Sequence, residues 1–282
     1  MQSLKNSLIN HTFMKAYKTP AAIIIGLITF IFPNFDVTEA ALIKVAAIQY
    51  RAIPHNKSEN IINLANFIEE ASANGAKIIV LPEMCTTGLA IKNMEQAKIL
   101  AETIPGPSTD AFAKLARQHS VYIILGMPEF EPQSKKYYNL QIVIDPNGLI
   151  IAKYRKIHLY GPDHNWAEKG DLGYQIAETL WGKIGLGICY DINFPDIFDF
   201  FSDKGVNIFA FSTNWVDENI PFNYWIGLLK NRNIYFIAAN NWGSEEGLSF
   251  PGGSIILSTD LTILSKTDTN ANTILYAHID IR

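Results

Sequence analysis

Residues 183–195 read Lys-Ile-Gly-Leu-Gly-Ile-Cys-Tyr-Asp-Ile-Asn-Phe-Pro, and this segment indicates a strand followed by a helix. Its first part is almost entirely apolar or glycine, which predicts a buried strand over residues 183–188. Pro195 suits the first turn of a helix, so a helix is predicted to follow it. Cys189 therefore falls where a buried strand ends and the chain turns towards a helix.

The same alternation of strands and helices extends on both sides of this stretch. Short apolar strands are predicted over residues 43–49, 77–81, 121–126, 206–211 and 235–240. Helices are predicted after Asn56, over 108–119, after Pro195 and over 224–233. A hairpin is predicted over 139–154 with its turn at 145–148, and further strands over 254–281. Alternating units of this kind predict an α/β fold with helices packed outside the sheet.

The composition of the 282-residue chain excludes several classes of protein. The hydrophobic fraction of 48% is too high for a disordered chain, and the mean hydropathy of +0.08 is too low for a multi-span membrane protein. A formal net charge of −4 gives no basic excess, so no nucleic-acid partner is expected. Two cysteines exclude a disulfide scaffold, and six scattered histidines give no zinc-ligand spacing, so no metal is expected.

Residues 1–40 are predicted to be a signal peptide or N-terminal leader, and 41–282 a single catalytic domain. An apolar run of 12 residues over 21–32 follows several lysines, and Thr38 and Ala40 are small residues spaced for cleavage. Crossing a bilayer needs about 20 apolar residues. A start at Met14 would give a signal of 27 residues. We expect export to the periplasm or the extracellular space; the alternatives are an uncleaved membrane anchor and a buried helix of the fold.

Three chemically reactive side chains stand at the ends of predicted strands. They are Glu83, Lys156 and Cys189. Sites in open α/β sheets gather outside the strand ends, and an acid, an amine and a thiol are suited to nucleophilic catalysis. The spacing along the chain leaves open whether the three side chains meet.

The segments around these residues resemble the three signatures of the nitrilase, or carbon–nitrogen hydrolase, superfamily. The signatures lie at residues 81–83, 154–159 and 187–196, and the likeness extends over about 43–281. The resemblance implies a four-layer αββα sandwich without a cofactor. It also implies that Glu83 is the general base, Lys156 the cationic partner and Cys189 the nucleophile. The Lys156 ammonium and the backbone N–H of Tyr190 would then stabilise the oxyanion.

Each of these assignments has an alternative. The thiol could be a buried packing group, the lysine a solvated side chain and the glutamate a simple strand-end acid. A papain-like pair of Cys189 with His158 or His164 is a second possible mechanism. Cys85 is interpreted as a packing residue, although a disulfide between Cys85 and Cys189 would abolish activity.

The resemblance leaves the supporting residues less defined. Family members often carry a second glutamate between the lysine and the cysteine; by spacing, Asp163 is the better candidate here and Glu168 the alternative. Trp215 is expected to line the substrate pocket, with core packing as its alternative. Arg232 is left open as a partner for a carboxylate on the substrate.

The function that these residues predict is hydrolysis of a small linear non-peptide amide, with release of ammonia through a Cys189 thioester. The sequence around the cysteine resembles the amidase branch, including ω-amidases. A nitrile or an N-carbamoyl (ureide) substrate is the alternative within the enzyme class. A catalytically silent binding protein is the alternative outside it, because Asp163 and Tyr235 depart from the family pattern. The resemblance also implies a homodimer.

Overall fold

The computed structural model describes residues 42–89 and 91–281. The chain divides into two units, Met1–Glu39 and Ala40–Arg282, and the described residues belong to the second. The predicted leader over 1–40 lies outside the described residues. Within the described ranges, no helix is long and apolar enough to cross a membrane.

Fourteen strands and five helices form the described part of the chain. The strands are β1 (Leu42–Gln49), β2 (Ala76–Val80), β3 (Tyr122–Glu131), β4 (Lys136–Ile144), β5 (Ile150–Arg155), β6 (Ile176–Thr179), β7 (Gly182–Ile188), β8 (Ile208–Ser212), β9 (Tyr235–Ala239), β10 (Trp242–Glu245), β11 (Leu248–Pro251), β12 (Ile255–Leu257), β13 (Ile263–Lys266) and β14 (Thr273–Asp280). The helices are α1 (Lys57–Ala73), α2 (Met94–Leu100), α3 (Pro107–His119), α4 (Pro195–Lys204) and α5 (Phe222–Leu229). Two 3-10 helices, Gly161–Asn165 and Cys189–Asn193, follow β5 and β7.

Two six-stranded sheets build the molecule. The first has the order β14-β1-β2-β3-β4-β5 and the second the order β13-β12-β9-β8-β7-β6. Strands β1, β2 and β3 run parallel at the centre of the first sheet, and β7, β8 and β9 run parallel in the second. Antiparallel strands flank each parallel set: β14 and the β4-β5 hairpin in the first sheet, and β6 and the β12-β13 hairpin in the second. Each parallel set brings the carboxyl ends of its strands to one edge, where sites usually form.

The sheets pack face to face, and helices cover their outer faces. Because successive residues of a strand point to opposite sides, Ile208 of β8 faces the first sheet and Phe209 faces α4. Helices α1 and α3 cover the first sheet through residues such as Leu64 and Phe112. Helix α5 covers the second sheet with Trp225. The predicted four-layer αββα sandwich is therefore confirmed.

Helix α5 differs most from its prediction, because it ends at Leu229 and not at residue 233. Asn231 and Asn233 take φ angles of 66° and 50°, which a right-handed helix does not accommodate. Asparagine tolerates this left-handed region better than other side chains. Four short elements were not predicted: α2, of seven residues, and β6, β10 and β11, of four residues each.

Candidate active site

Glu83, Lys156 and Cys189 come together in a buried site between the sheets. Each follows a strand: Glu83 comes after β2, Lys156 directly after β5 and Cys189 directly after β7. Their side chains are almost inaccessible, with exposed fractions of 1%, 2% and 6%. A buried charge is stable only when it is paired and hydrogen-bonded, so the contacts of these groups are decisive.

The ammonium of Lys156 is shared by two carboxylates. Its Nζ lies 2.7 Å from Glu83 Oε1 and 2.6 Å from Asp163 Oδ2. The amide of Asn139 joins the same two groups, because Nδ2 donates to Glu83 Oε1 at 2.8 Å and to Asp163 Oδ1 at 3.1 Å. The four side chains form a closed ring of hydrogen bonds, which fixes the position of both the acid and the amine.

Burial and charge set the protonation states of this ring. Burial raises the pKa of Glu83; the Lys156 ammonium opposes this shift and Asp163 reinforces it. Burial lowers the pKa of Lys156, but Asp163 and Glu83 outweigh it, so that the net shift is well upward. Lys156 is therefore a cation at neutral pH, and Glu83 is more basic than an exposed glutamate.

Asn214 holds the second oxygen of Glu83 from the opposite sheet. Its backbone N–H donates to Glu83 Oε2 at 2.9 Å, and its side-chain Nδ2 donates to the Glu83 carbonyl oxygen at 2.8 Å. The carbonyl oxygen of the same residue lies 3.9 Å from Cys189 Sγ. Asn214 thus brings the carboxylate and the thiol to one place.

Cys189 starts a 3-10 helix in an unusual backbone conformation. Its φ is 44°, in the left-handed region that non-glycine residues rarely adopt. Burial raises the pKa of its thiol, the Glu83 charge raises it further, and the Lys156 ammonium lowers it. The sulfur is therefore protonated at neutral pH and requires a base to become a nucleophile.

Asp191 fastens the turn that carries the cysteine. Its Oδ2 accepts from the Tyr154 hydroxyl at 2.8 Å and from the Ile188 N–H at 3.1 Å. Its Oδ1 accepts from the His158 N–H at 2.9 Å and lies 2.9 Å from His158 Nδ1. These bonds connect the end of β7 to the chain that follows β5.

The histidines do not favour a papain-like pair. The His158 ring faces Asp191 through Nδ1 and stacks on Phe194, with ring centroids 3.4 Å apart and planes 7° apart. His164 is an exposed residue of the first 3-10 helix. The contacts of the His158 ring are therefore with Asp191 and Phe194 and not with the Cys189 sulfur.

Cys85 occupies a packing position. Its Sγ donates to the Gly126 carbonyl oxygen at 3.4 Å, and burial raises its pKa to about 12. It packs in the cluster beneath α1 and α3, whereas Cys189 packs between the sheets. Both thiols are free.

A pocket of about 190 Å³ opens at the cysteine. It is lined by Tyr160, Cys189, Tyr190, Asn193, Trp215, Val216 and Tyr224. Trp215 therefore lines the pocket at the cysteine. It also packs edge-on against Trp225, with ring centroids 5.5 Å apart. The backbone N–H of Tyr190 is in the first turn of its 3-10 helix, where N–H groups have no acceptor within the helix.

Of the two candidates for the second acid, only Asp163 lies at the site, and Arg232 lies outside it. Asp163 is 1% exposed and touches Lys156, whereas Glu168 is exposed and lies 3.8 Å from Lys136. Arg232 pairs with Asp199 at 3.3 Å and lines a different cavity of about 530 Å³. That cavity lies at the amino ends of β8 and β9, opposite the strand ends that hold the cysteine.

Three residues of this site were not predicted to belong to it: Asn139, Asp191 and Asn214. Asp191 lies inside the signature at 187–196 and Asn214 directly precedes Trp215, and this proximity is the signal that could have indicated them, whereas Asn139 lies outside all three signatures. Within the described ranges, no group of three or more His, Cys, Asp or Glu is arranged to hold a metal ion.

Comparison with known proteins agrees with this geometry. The Carbon-nitrogen hydrolase family matches residues 44–282. The chain is similar to a nitrilase of Pyrococcus abyssi, with 33% identity over 85% of this chain and 90% of that protein. It is similar to the omega-amidase NIT2 of Homo sapiens, with 30% identity over 85% of this chain and 89% of that protein.

Two solved structures share the fold. An amidase from Nesterenkonia sp. superposes with a TM-score of 0.75 at 19% identity, covering 86% of this chain and 92% of that chain. Nit3 of Saccharomyces cerevisiae, a member of branch 10 of the nitrilase superfamily, superposes with a TM-score of 0.75 at 25% identity, covering 85% and 90%. The protein belongs to the carbon–nitrogen hydrolase family, within the nitrilase superfamily.

Proposed function

We propose that the protein is an amidase that hydrolyses a small linear non-peptide amide through a thioester on Cys189. The observation that carries the proposal is the Lys156 ammonium shared by Glu83 and Asp163, beside a buried thiol that opens into a pocket. This arrangement supplies a base, a fixed positive charge and a nucleophile without a cofactor.

The first half of the reaction forms the thioester. Glu83 accepts the proton of the Cys189 thiol while the sulfur attacks the amide carbon. The carbonyl oxygen becomes an oxyanion, and the Lys156 ammonium and the Tyr190 N–H are suited to donate hydrogen bonds to it. Loss of one such donor raises the activation free energy by about 3 kcal/mol. When the carbon–nitrogen bond breaks, Glu83 returns the proton to the nitrogen and ammonia leaves.

The second half regenerates the enzyme. Glu83 takes a proton from a water molecule, whose oxygen attacks the thioester carbon and forms a second oxyanion. Collapse of this intermediate breaks the carbon–sulfur bond, and the proton returns to the Cys189 sulfur. The products of the complete cycle are ammonia and the carboxylic acid.

The pocket supports an acyl group that is short and uncharged. Among the described residues that line it, none has a carboxylate, ammonium or guanidinium group. Its walls are mainly the rings of Tyr160, Tyr190, Trp215 and Tyr224. A cavity of roughly 150 Å³ holds a benzene ring, so about 190 Å³ suits an acyl group of comparable size. An N-carbamoyl amino acid would bring a carboxylate without a cation to pair with it.

Ammonia release from matched compounds tests the proposal. The panel is butyramide, valeramide, succinamate, butyronitrile and N-carbamoyl-β-alanine, with Cys189→Ala as the blank. We expect the two uncharged amides to be hydrolysed fastest, and intact mass to show an acyl adduct that the Cys189→Ala variant lacks. Preference for the nitrile or the ureide would assign the alternative substrate class. Neither ammonia nor an adduct with any compound would favour the binding protein.

We also propose export through the leader over residues 1–40 and assembly into a homodimer. The protein expressed with its own leader should be recovered outside the cytoplasm with Ala41 as its first residue. Recovery in the membrane at full-length mass would instead support an uncleaved anchor.

Light scattering should give twice the mass of the chain, and the mass of one chain would contradict the homodimer.

A further inference from the structure

The hydroxyl of Thr213 is buried next to the nucleophile. Strands β7 and β8 run parallel with Ile188 opposite Ser212, so the next residues, Cys189 and Thr213, are neighbours beyond the strand ends. The thiol is directed towards this segment, because its Sγ lies 3.9 Å from the carbonyl oxygen of Asn214. The backbone of Thr213 is held by a hydrogen bond from its N–H to the Ala239 carbonyl oxygen at 3.0 Å.

This hydroxyl has no hydrogen-bond partner within the described part of the chain. Thr213 is fully buried, and its Oγ1 is among the buried polar atoms that make no hydrogen bond. A buried hydroxyl without a partner destabilises the folded protein, whereas valine has nearly the same shape without the polar group. Threonine at this position therefore makes the folded protein less stable than valine would, and packing alone does not explain its presence.

We propose that the Thr213 hydroxyl is a further catalytic group, which donates a hydrogen bond to the Cys189 sulfur as that atom becomes negative. The role rests on the proposed function, in which Glu83 takes the thiol proton. The S–H bond breaks, its electron pair stays on sulfur, and the proton moves to the carboxylate. No covalent bond of Thr213 breaks, because its proton is only shared with the sulfur.

The electrostatics of the site agree with this role. Burial and the Glu83 charge raise the pKa of the Cys189 thiol, while the Lys156 ammonium and the hydrogen bond that the Thr213 side chain would give the thiolate lower it. A hydrogen bond to the charged form of a group favours that form. The hydroxyl would therefore become satisfied at the moment when sulfur is the nucleophile.

The test is the rate at which iodoacetamide alkylates Cys189, measured by peptide mass spectrometry across a pH series. Alkylation needs the thiolate but not amide hydrolysis. Thr213→Val should slow alkylation at pH 7 about tenfold and shift the pH profile upward by about one unit. Thr213→Ser keeps the hydroxyl and should stay within about twofold of the parent protein.

Thr86→Val is the matched control. Thr86 is also fully buried with an unpartnered Oγ1, but it lies in the loop after β2, where its carbonyl oxygen accepts a hydrogen bond from Asn60 of α1 at 3.0 Å. This variant should alkylate at the parent rate. An unchanged rate and profile for Thr213→Val, at a parent-like melting temperature, would overturn the proposal.

A second pair of variants covers the case in which Thr213→Val does not fold. Thr213→Ser and Thr213→Ala both lack the methyl group and differ only in the hydroxyl. The serine variant should react about tenfold faster than the alanine variant, and equal rates would overturn the proposal. If the parent protein hydrolyses no amide while these differences persist, the proposed function fails and the role of Thr213 does not.

Discussion

Asp163 reaches the Lys156 ammonium although its side chain is short. Aspartate is one methylene shorter than the glutamate that the family resemblance suggests. The 3-10 helix Gly161–Asn165 places its Oδ2 2.6 Å from Lys156 Nζ, so the ion pair forms nonetheless. One of the two departures that suggested a silent protein, Asp163, therefore still pairs with the lysine.

Asp163→Asn should reduce kcat/KM for the preferred amide at least tenfold. The variant keeps the side-chain shape but removes one of the two charges that hold the Lys156 ammonium. Because Asp163 raises the pKa of Glu83, its removal should move the acidic limb of the pH–rate profile to lower pH. Glu168→Gln is the control and should leave both the rate and the limb unchanged. An unshifted acidic limb in Asp163→Asn would contradict this assignment.

Asp191 is a second residue whose carboxylate holds the site together through hydrogen bonds. It is fully buried and accepts hydrogen bonds from Ile188, directly before the nucleophile, and from Tyr154 and His158 at and after β5. Asp191→Asn would turn an amide N–H₂ towards groups that already donate. We expect a loss of about 2–4 kcal/mol in the free energy of unfolding, measured with denaturant.

The control for this change is Asp203→Asn, at an exposed position near the end of α4. Exposed substitutions of this kind usually stay within about 0.5 kcal/mol. Equal stabilities of the two variants would mean that the Asp191 bonds do not hold the turn.

At the scale of elements, the glycines of β7 allow α4 to pack closely on the second sheet. A Cβ on Gly185 would lie 2.5 Å from the ring of Phe201, and a Cβ on Gly187 would lie 2.7 Å from the ring of Phe209. Large apolar residues of the helix and of β8 fill the space that the glycines leave. In the alternation Gly-Leu-Gly-Ile of this strand, the glycines therefore lie on the crowded face towards α4, and the leucine and isoleucine lie on the face between the sheets.

Gly187→Ala should therefore destabilise the protein by about 1–3 kcal/mol or more through overpacking. Thermal unfolding measures the loss. The matched control is Gly227→Ala, because a Cβ at this position of α5 meets nothing within 4 Å. Alanine inside a helix is favoured over glycine by about 1 kcal/mol, so the control should be more stable than the parent. A neutral Gly187→Ala would show that the face can rearrange.

At the scale of the whole molecule, the chain buries many groups that lose protons in alkali. Burial raises the pKa of Cys85 to about 12 and that of Tyr50 to about 12. Burial also raises the pKa values of Cys189 and Tyr154, and paired carboxylates raise that of Lys156 against its burial. The folded protein thus holds these protons more tightly than the unfolded chain.

Stability should consequently fall at high pH. A group with a raised folded pKa stabilises the protein fully below its unfolded pKa, and this contribution is lost as the pH rises towards the folded value. Unfolded cysteine and tyrosine titrate near about 8.5 and 10, so the melting temperature should decline from about pH 9 upward. Tyr154→Phe should make the decline shallower above about pH 10. A melting temperature that stays constant to pH 11 would contradict this account.

The residue pattern predicted most of the strands and helices and an α/β fold, and the resemblance to a family implied the αββα architecture and pointed to the three segments that carry Glu83, Lys156 and Cys189. Local patterns suffice for the strands and helices because burial alternates along a strand and because proline and asparagine mark helix starts. The choice of Asp163 over Glu168, the exclusion of Arg232 and the roles of Asn139 and Asn214 required the tertiary structure. Asn139 and Asn214 are 56 and 131 positions from the Glu83 that they hold. Contacts over such separations are set by the packing of two sheets, and no pattern of neighbouring residues encodes them.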